Sequence, residues 1–541
     1  MMKGLMMDYQ LTLQPVLERA YRLYPKRQLS TKQGPNMHRY TYTDMYGRVG
    51  QLAGALTRLG VQPGDRVATL AWNTYRHMEL YFAIPCMGAV CHTLNLRLPP
   101  DQLIYIINHA EDKVIFVDQS LLPLIEKLVP HLKTVQHYVV MADAPLQTTL
   151  PNAVSYEEFI AAEKPDFAWP TLDENEAAAM CYTSGTTGNP KGVLYSHRSI
   201  YLHTMGACQT DGLGLSEKDS VMPVVPMFHV LAWGIPYAAT MLGCVQVFPG
   251  PHLQPKDLAE LIQNEKITLT AGVPTLWLGL YGLLESENYN VSSLRAMIVG
   301  GSAAPRSMIE AYQKKLGLKI CHAWGMTETS PLGTVCNLKR ETLELPEDEQ
   351  FVIRAKQGIP VPGVEIRALD ENGKEVTHDG KAMGELQIRG PWVAGSYYMD
   401  ARSADAFMDG WFRTGDVVTI DDEGYMQIVD RTKDLVKSGG EWISTVELES
   451  AIMAHPKVLE AAVIAVPHPK WQERPLAIVV VKPNTEPPSK QEIYDLLSKD
   501  FAKWQFPDDI VFLDAIPKTS VGKFDKKVIR QQFKEYKLPE V

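Results

Sequence analysis

Residues 182–193, Tyr182-Thr183-Ser184-Gly185-Thr186-Thr187-Gly188-Asn189-Pro190-Lys191-Gly192-Val193, carry hydroxyls, glycines and one lysine in an order suited to a polyphosphate. Glycine lets backbone N–H groups approach phosphate oxygens closely, and the ammonium balances their charge. The bland alternative is a flexible Ser/Thr/Gly surface loop. A Walker A loop is excluded, because Pro190 stands where that motif needs Gly and no Lys-Ser/Thr pair follows. Further along, His322-Ala323-Trp324-Gly325-Met326-Thr327-Glu328-Thr329 sets an aromatic plane, hydroxyls and a carboxylate side by side. Trp324 could stack on a purine, Thr327 donate to a phosphate and Glu328 reach Mg²⁺ through oxygen. Without context a Trp beside glycine is core and the acid is solvated. Thr414-Gly415-Asp416 reads as a carboxylate just after a tight turn, able to accept from both hydroxyls of a ribose or to serve only as a turn acid. His229, in Pro226-Met227-Phe228-His229-Val230, is by type a hydrogen-bonded core histidine or a functional one. Lys523 completes a Ser520-Val521-Gly522-Lys523 match to the S-x-x-K motif, a decoy because its companion motifs and any G-x-S-x-G elbow are missing.

Taken in order along nearly the whole chain, these segments resemble the adenylate-forming superfamily, which includes acyl-CoA synthetases, peptide-synthetase adenylation domains and beetle luciferases. The resemblance implies an α/β fold: a large N-terminal domain of layered α/β subdomains (1–429), a hinge (430–434) and a small mobile C-terminal α+β domain (435–541). It implies ATP, Mg²⁺ and CoA. Thr183, Ser184, Gly185, Thr186, Thr187, Gly188 and Lys191 would hold phosphates, with Thr183 and Glu328 at the metal. Gly301, Ser302, Ala303, His322, Ala323, Trp324, Gly325, Met326 and Thr327 would cradle the nucleotide and Asp416 hold its ribose, with Arg431 assisting there or at the phosphate. The family commonly has tyrosine where Trp324 stands. Lys523, in Pro517-Lys518-Thr519-Ser520-Val521-Gly522-Lys523, would bridge carboxylate and α-phosphate. His229, at the mouth of the carboxylate pocket, would position substrate or gate the thiol. With Trp233, Gly234, Gly301, Trp324, Gly325 and Met326 it would form the acyl site. Rotation about Lys433 would then withdraw Lys523 and bring forward Lys437, Gly439, Gly440, Glu441 and Trp442 for CoA. One departure is Gln472, where Gly is expected.

The chemistry explains the parts. A carboxylate attacking an α-phosphate brings two anions together, and cations with loop N–H groups reduce that repulsion while AMP becomes a good leaving group. The expectation is an AMP-forming acid–thiol ligase for a short or medium aliphatic acid. The run Gly439-Gly440-Glu441-Trp442-Ile443-Ser444 is similar to that of bacterial aliphatic acyl-CoA ligases, and the resemblance across the chain, to bacterial medium-chain fatty-acid–CoA ligases, implies 3-methylmercaptopropionate as the acid. The alternatives are an aryl-acid–CoA ligase and a nucleotide-binding protein without ligase activity; luciferase-like oxygenation or carrier-protein loading stand on fold grounds alone.

These residues need elements to hold them. A chain of 541 residues exceeds one core and reads as two to four lobes. With 45% hydrophobic and 21% charged residues it has an ordinary globular composition, and a net charge of -10 disfavours nucleic acid. Seven cysteines without a CxxC pair argue against a disulfide scaffold and suit a reducing cytoplasm. The apolar stretch before the first acid, Asp8, is too short for a secretory signal. Residues 220–255 contain no Asp, Glu, Lys or Arg, but Pro223, Pro226, Pro236 and Gly234 interrupt them, which predicts a buried wall with turns rather than a membrane span. Apolar runs at 65–70, 113–117, 296–299 and 318–321 alternate with helical stretches such as 305–316, predicting parallel α/β layers. Runs at 384–390 and 424–429 predict a more antiparallel region. The charged run 430–434 is expected at the surface as a linker. A homodimer is implied by the family alone.

Overall fold

Strands Val90–Thr93, Leu269–Gly272 and Leu332–Val335 are buried at every residue, as strands covered on both faces must be. The computed structural model describes residues 2, 4–142, 146–183, 189–439, 441–519 and 523–539, and in it these strands belong to two large sheets. The seven-stranded sheet runs in the order Ala153–Ser155, His137–Met141, Val114–Asp118, Arg66–Leu70, Val90–Thr93, Ala177–Tyr182, Gly192–Ser196, parallel except for its last pair. The nine-stranded sheet has Gln28–Gln33, Val245–Phe248, Ser220–Pro223, Leu269–Gly272, Ala296–Val299 and Ile320–Gly325 as parallel neighbours, with antiparallel strands at both edges. Helix Arg306–Leu316, started after Pro305 and ended by Gly317 at φ +65°, is one of the crossovers.

The next sheet is antiparallel, with Glu365–Leu369, Gly384–Arg389, Trp411–Ile420 and Met426–Arg431 as its main strands. Beyond it lies a small α+β domain. Its strands Val436–Ser438, Val458–His468, Gln472–Val481 and Asp509–Phe512 pack with helix Thr445–Met453 around their own core of Val436, Ile443, Leu448, Val463 and Val479. The layered α/β body and the small C-terminal domain are those expected from the sequence.

The charge-free stretch is the predicted wall. Strand Ser220–Pro223, helix Ile235–Leu242 and strand Val245–Phe248 are separated by turns, and among the described residues no helix is long and apolar enough to cross a membrane. One of those turns was not foreseen: Val230, Leu231, Ala232 and Trp233 have φ of +44°, +54°, +49° and +58°, a left-handed turn closed by Gly234 at +70°. Side chains in that region are strained, and the burial of Val230, Leu231 and Ala232 holds them there.

Two local expectations are corrected. Asp416 does not follow a tight turn; it lies inside strand Trp411–Ile420, where Gly415 at φ +72° sits in a bulge between the Gln387↔Arg413 and Glu385↔Val417 pairs. The run 430–434 is not wholly at the surface, because Asp430 and Asp434 are buried. Asp430 accepts from the N–H and Oγ1 of Thr445 at 2.7 and 2.5 Å, and Asp434 pairs with Arg530 at 2.6 Å; partners of this kind make buried carboxylates tolerable. At position 472 the backbone does take the conformation that glycine would suit, φ +69°, with glutamine in it.

Candidate active site

The ends of several parallel strands converge on one cleft, as open α/β sheets generally arrange. Thr183 follows Ala177–Tyr182, Gly300 and Gly301 follow Ala296–Val299, and Trp324 with Gly325 ends Ile320–Gly325. The cleft has a volume of about 970 Å³ and is lined from both domains. Among the expected residues it brings together Thr183, Lys191, His229, Trp233, Gly301, Ser302, Ala303, His322, Ala323, Trp324, Gly325, Met326, Thr327, Glu328, Asp416, Arg431, Lys433 and Lys523. Ser184, Gly185, Thr186, Thr187, Gly188 and Gly440 lie outside the described residues, as do Ser520, Val521 and Gly522. The neck of the phosphate loop is defined: Thr183 N–H donates to Lys191 O at 2.9 Å, and Lys191 N–H to Thr183 Oγ1 at 3.3 Å.

At the ribose end, Asp416 is 2% exposed and directly opposite Arg431 in the strand pairing. The Arg431 guanidinium lies 2.5 Å from Oδ1, and the Trp324 indole N–H donates to Oδ2 at 3.1 Å. Asp416 N–H donates to Thr414 Oγ1 at 3.0 Å, so backbone and carboxylate are both fixed. A carboxylate has about four acceptor sites, which leaves room for a diol. Trp324 is 8% exposed; its ring packs over Gly333, where a Cβ would meet the indole at 2.5 Å.

The His322 ring is engaged by backbone. Its Nδ1 faces Ala355 O at 3.1 Å and its Nε2 accepts from Ala304 N–H at 3.3 Å, so both ring nitrogens are engaged by backbone. Burial pushes its pKa down to about 4, keeping the ring neutral. Its work is to hold the 300–305 segment against the strand. There Gly301, at φ +81°, passes close to Val273 and to the Lys523 side chain, whose Cε is 3.9 Å from where a Cβ would stand.

Lys523 reaches into the cleft from the C-terminal domain, and its carbonyl accepts from Thr519 N–H at 2.7 Å. Burial, with Arg431 nearby, pushes its pKa down to about 8, while Asp416 and Glu328 pull it up. His229 is held neutral, down to about 3, by burial first and then by Lys523 and Arg97. Trp233 lies against Gly300, where a Cβ would come within 3.1 Å of the indole. Gly234 is not among the cleft's walls; a Cβ there would strike His203 at 2.6 Å, so the glycine is needed for packing beneath the turn.

Glu328 is 4% exposed and accepts at Oε1 from the Tyr397 hydroxyl at 2.7 Å. Tyr397 had no signal in the sequence, because its neighbours in space come from positions 191 and 328. No cluster of three or more acidic, His or Cys side chains suited to a metal exists among the described residues. One carboxylate and one hydroxyl beside substrate phosphates still fit Mg²⁺, which binds in that way. Lys437, Gly439 and Trp442 are not walls of the cleft. Lys437 and Trp442 pair in the C-terminal sheet, the ammonium 4.3 Å from the indole centroid, and Gly439 leaves room for Trp471, 2.8 Å from where a Cβ would stand. Glu441 belongs to the same hairpin, in strand Glu441–Ile443.

The comparisons agree with this geometry. Residues 17–398 match the AMP-binding enzyme family, and residues 447–523 match the AMP-binding enzyme C-terminal domain. A long-chain-fatty-acid–CoA ligase of Thermus thermophilus is 51% identical over 98% of this chain and 97% of that protein. A 3-methylmercaptopropionyl-CoA ligase of Ruegeria lacuscaerulensis is 46% identical over 99% of both. The crystal structure of an anthranilate CoA ligase in complex with anthranoyl-AMP superposes with a TM-score of 0.86 at 26% identity, covering 97% of this chain and 98% of that one. Matched over both its large and its small domain, the chain belongs to the AMP-binding enzyme family.

Proposed function

We propose that the protein is an AMP-forming acid–thiol ligase that joins a short or medium aliphatic carboxylate to CoA through an acyl-adenylate, using ATP. The observation that carries this reading is Lys523, from the small domain, lining the same cleft as Thr183, Glu328, Asp416 and His229. A site built only to hold nucleotide has no use for a lysine delivered from a second domain. Asp416 and Arg431 hold the ribose, Thr183 and Lys191 the phosphates, and Trp324 lies against the base. The acid's carboxylate attacks the α-phosphorus and pyrophosphate leaves, with the Lys523 ammonium between the two anions. Mg²⁺, held by Glu328 and Thr183, would supply further neutralisation of phosphate charge. His229, kept neutral, adds no charge where the acid binds. The thiol then attacks the acyl carbonyl and AMP leaves, after rotation about Lys433 has withdrawn Lys523 and brought forward the segment of Lys437, Gly439, Gly440, Glu441 and Trp442.

The walls of the cleft include Val230, Trp233, Pro274, Leu278, Ile298 and Leu332, an apolar surface suited to an aliphatic chain. Within that class 3-methylmercaptopropionate is the acid we favour, on the strength of the Ruegeria relative. The aryl-acid reading rests on the anthranoyl-AMP complex, whose sequence identity is lower. A homodimer in a reducing cytoplasm belongs to this reading, supported by family habit and by seven free cysteines; sedimentation tests the dimer. The deciding assay is acid-dependent pyrophosphate release followed by CoA-dependent AMP release. It is run with acids from propionate to decanoate, 3-methylmercaptopropionate and benzoate. Nucleotide binding without either release would leave a binding protein, and benzoate as the preferred acid would leave the aryl ligase.

A further inference from the structure

Lys191 and Glu328 come from two different sheets, and a phenol from a third part of the chain stands between them. Lys191 immediately precedes strand Gly192–Ser196 of the seven-stranded sheet, and Glu328 follows strand Ile320–Gly325 of the nine-stranded one. Tyr397 lies in the connection between Gly384–Arg389 and Trp411–Ile420 of the antiparallel sheet. The Lys191 ammonium donates to Tyr397 Oη at 2.9 Å and lies 4.0 Å from the ring centroid, while the Tyr397 O–H donates to Glu328 Oε1 at 2.7 Å. A phenol has one proton, so once it is given to Glu328 the oxygen can only accept. The polarity of the chain from ammonium to phenol to carboxylate is therefore fixed.

Tyr397 is itself anchored. Its N–H donates to Ser403 Oγ at 2.9 Å, its ring meets Phe407 edge-on at 5.1 Å, and the next residue's N–H donates to Gly192 O at 2.8 Å. An ammonium and a carboxylate lining one buried cleft would otherwise attract strongly, since burial weakens solvent screening. A direct ion pair would occupy the carboxylate. We infer that Tyr397 is a positioning residue for the divalent cation: its hydroxyl orients Glu328 and keeps Lys191 from closing an ion pair on that carboxylate. This inference rests on the ligase reading above. Removing an outer partner of a metal ligand commonly lowers metal affinity by about 10–100-fold.

The test is Mn²⁺ binding, followed by electron paramagnetic resonance, to the full protein with α,β-methylene-ATP, which blocks cleavage between the α- and β-phosphates. In Tyr397→Phe the Mn²⁺ dissociation constant should rise about tenfold, while binding of the same nucleotide without metal stays within about twofold and shows that the site is folded. Adding Lys191→Met to Tyr397→Phe, with the nucleotide kept saturating because Lys191 also faces the phosphates, should recover part of the lost Mn²⁺ affinity, because the competing ammonium is gone. Unchanged Mn²⁺ affinity in Tyr397→Phe overturns the inference, and so does an equal loss of metal-free nucleotide binding, which marks a merely structural role. A double variant no better than the single one removes the ion-pair half of the argument. No Mn²⁺–nucleotide binding by the wild type would bring down the ATP site itself, whereas failure confined to the variants leaves the ligase reading standing.

Discussion

With its pKa held down to about 8 by burial and Arg431, Lys523 is an ammonium below that pH and increasingly neutral above it. If the ammonium is the working form, kcat/KM for acid-dependent pyrophosphate release should be flat below about pH 8 and fall above it, since that profile reports the free enzyme. Lys523→Arg should move the falling limb to higher pH; an unmoved limb assigns it to another group. Lys523→Ala should lower adenylation by at least about 10²-fold while thioester formation from supplied acyl-adenylate survives. Equal losses in both assays would end the role proposed for this lysine. Residues of this kind were legible through the order of their motifs and the family resemblance it carried; by type alone the lysine read as solvent-facing and the carboxylates as turn or surface acids. Their partners were not legible. The Trp324 indole on Asp416 and the Tyr397 phenol on Glu328 join positions 92 and 69 residues apart, and no local pattern announces such pairs. The partners of the His322 ring were equally hidden, since the backbone that occupies it lies at Ala304 and Ala355.

The elements that hold the site depend on small residues where strands and turns pass each other. Gly333, in strand Leu332–Val335, makes room for the Trp324 ring beside it. Gly333→Ala should push the indole off Asp416 and raise KM for ATP by roughly tenfold, an overpacking cost of about 1–3 kcal/mol, with the melting temperature lowered. An unaltered KM would show that the indole tolerates the methyl group. Trp233 gives a second case. It ends the left-handed turn beside Gly300, and if it limits the acyl pocket, Trp233→Ala should shift kcat/KM toward longer acids by on the order of 1 kcal/mol per methylene that gains contact. A uniform fall from propionate to decanoate would make it a core residue instead. The parallel strands at 66–70, 114–118, 296–299 and 320–325 were legible because doubly covered strands are apolar runs. The left-handed turn and the bulge at Gly415 were not, because each is imposed by packing against chain far away in sequence. At Gln472 the missing glycine was noticed, yet only the structure shows that the backbone keeps a glycine-like conformation regardless.

At the scale of the molecule, division into a large and a small domain was readable from the restart of the αβ pattern after residue 434. The expected exposure of 430–434 failed because charge was taken as solvation, while Asp430 and Asp434 found partners in the small domain. Lys433 remains exposed, and its N–H donates to none of the described residues. Lys433→Pro therefore loses no hydrogen bond while fixing one φ near -65°. Acyl-AMP should accumulate and CoA-dependent turnover drop; unchanged turnover would place the pivot elsewhere.

The Asp430 carboxylate has a kinetic consequence of its own. On a pivot at Lys433, Asp430 stays with the large domain while Thr445 leaves with the small one, and Thr445 is also contacted by Lys526, which pairs with Glu449 at 2.7 Å. Separation gives up two hydrogen bonds to a buried charge, on the order of 3 kcal/mol, equivalent to about a hundredfold in rate where nothing replaces them before the barrier is crossed. The adenylate would then have a dwell time set by this latch rather than by the reactivity of its carbonyl. An intermediate prone to hydrolysis would stay enclosed until the small domain lets go.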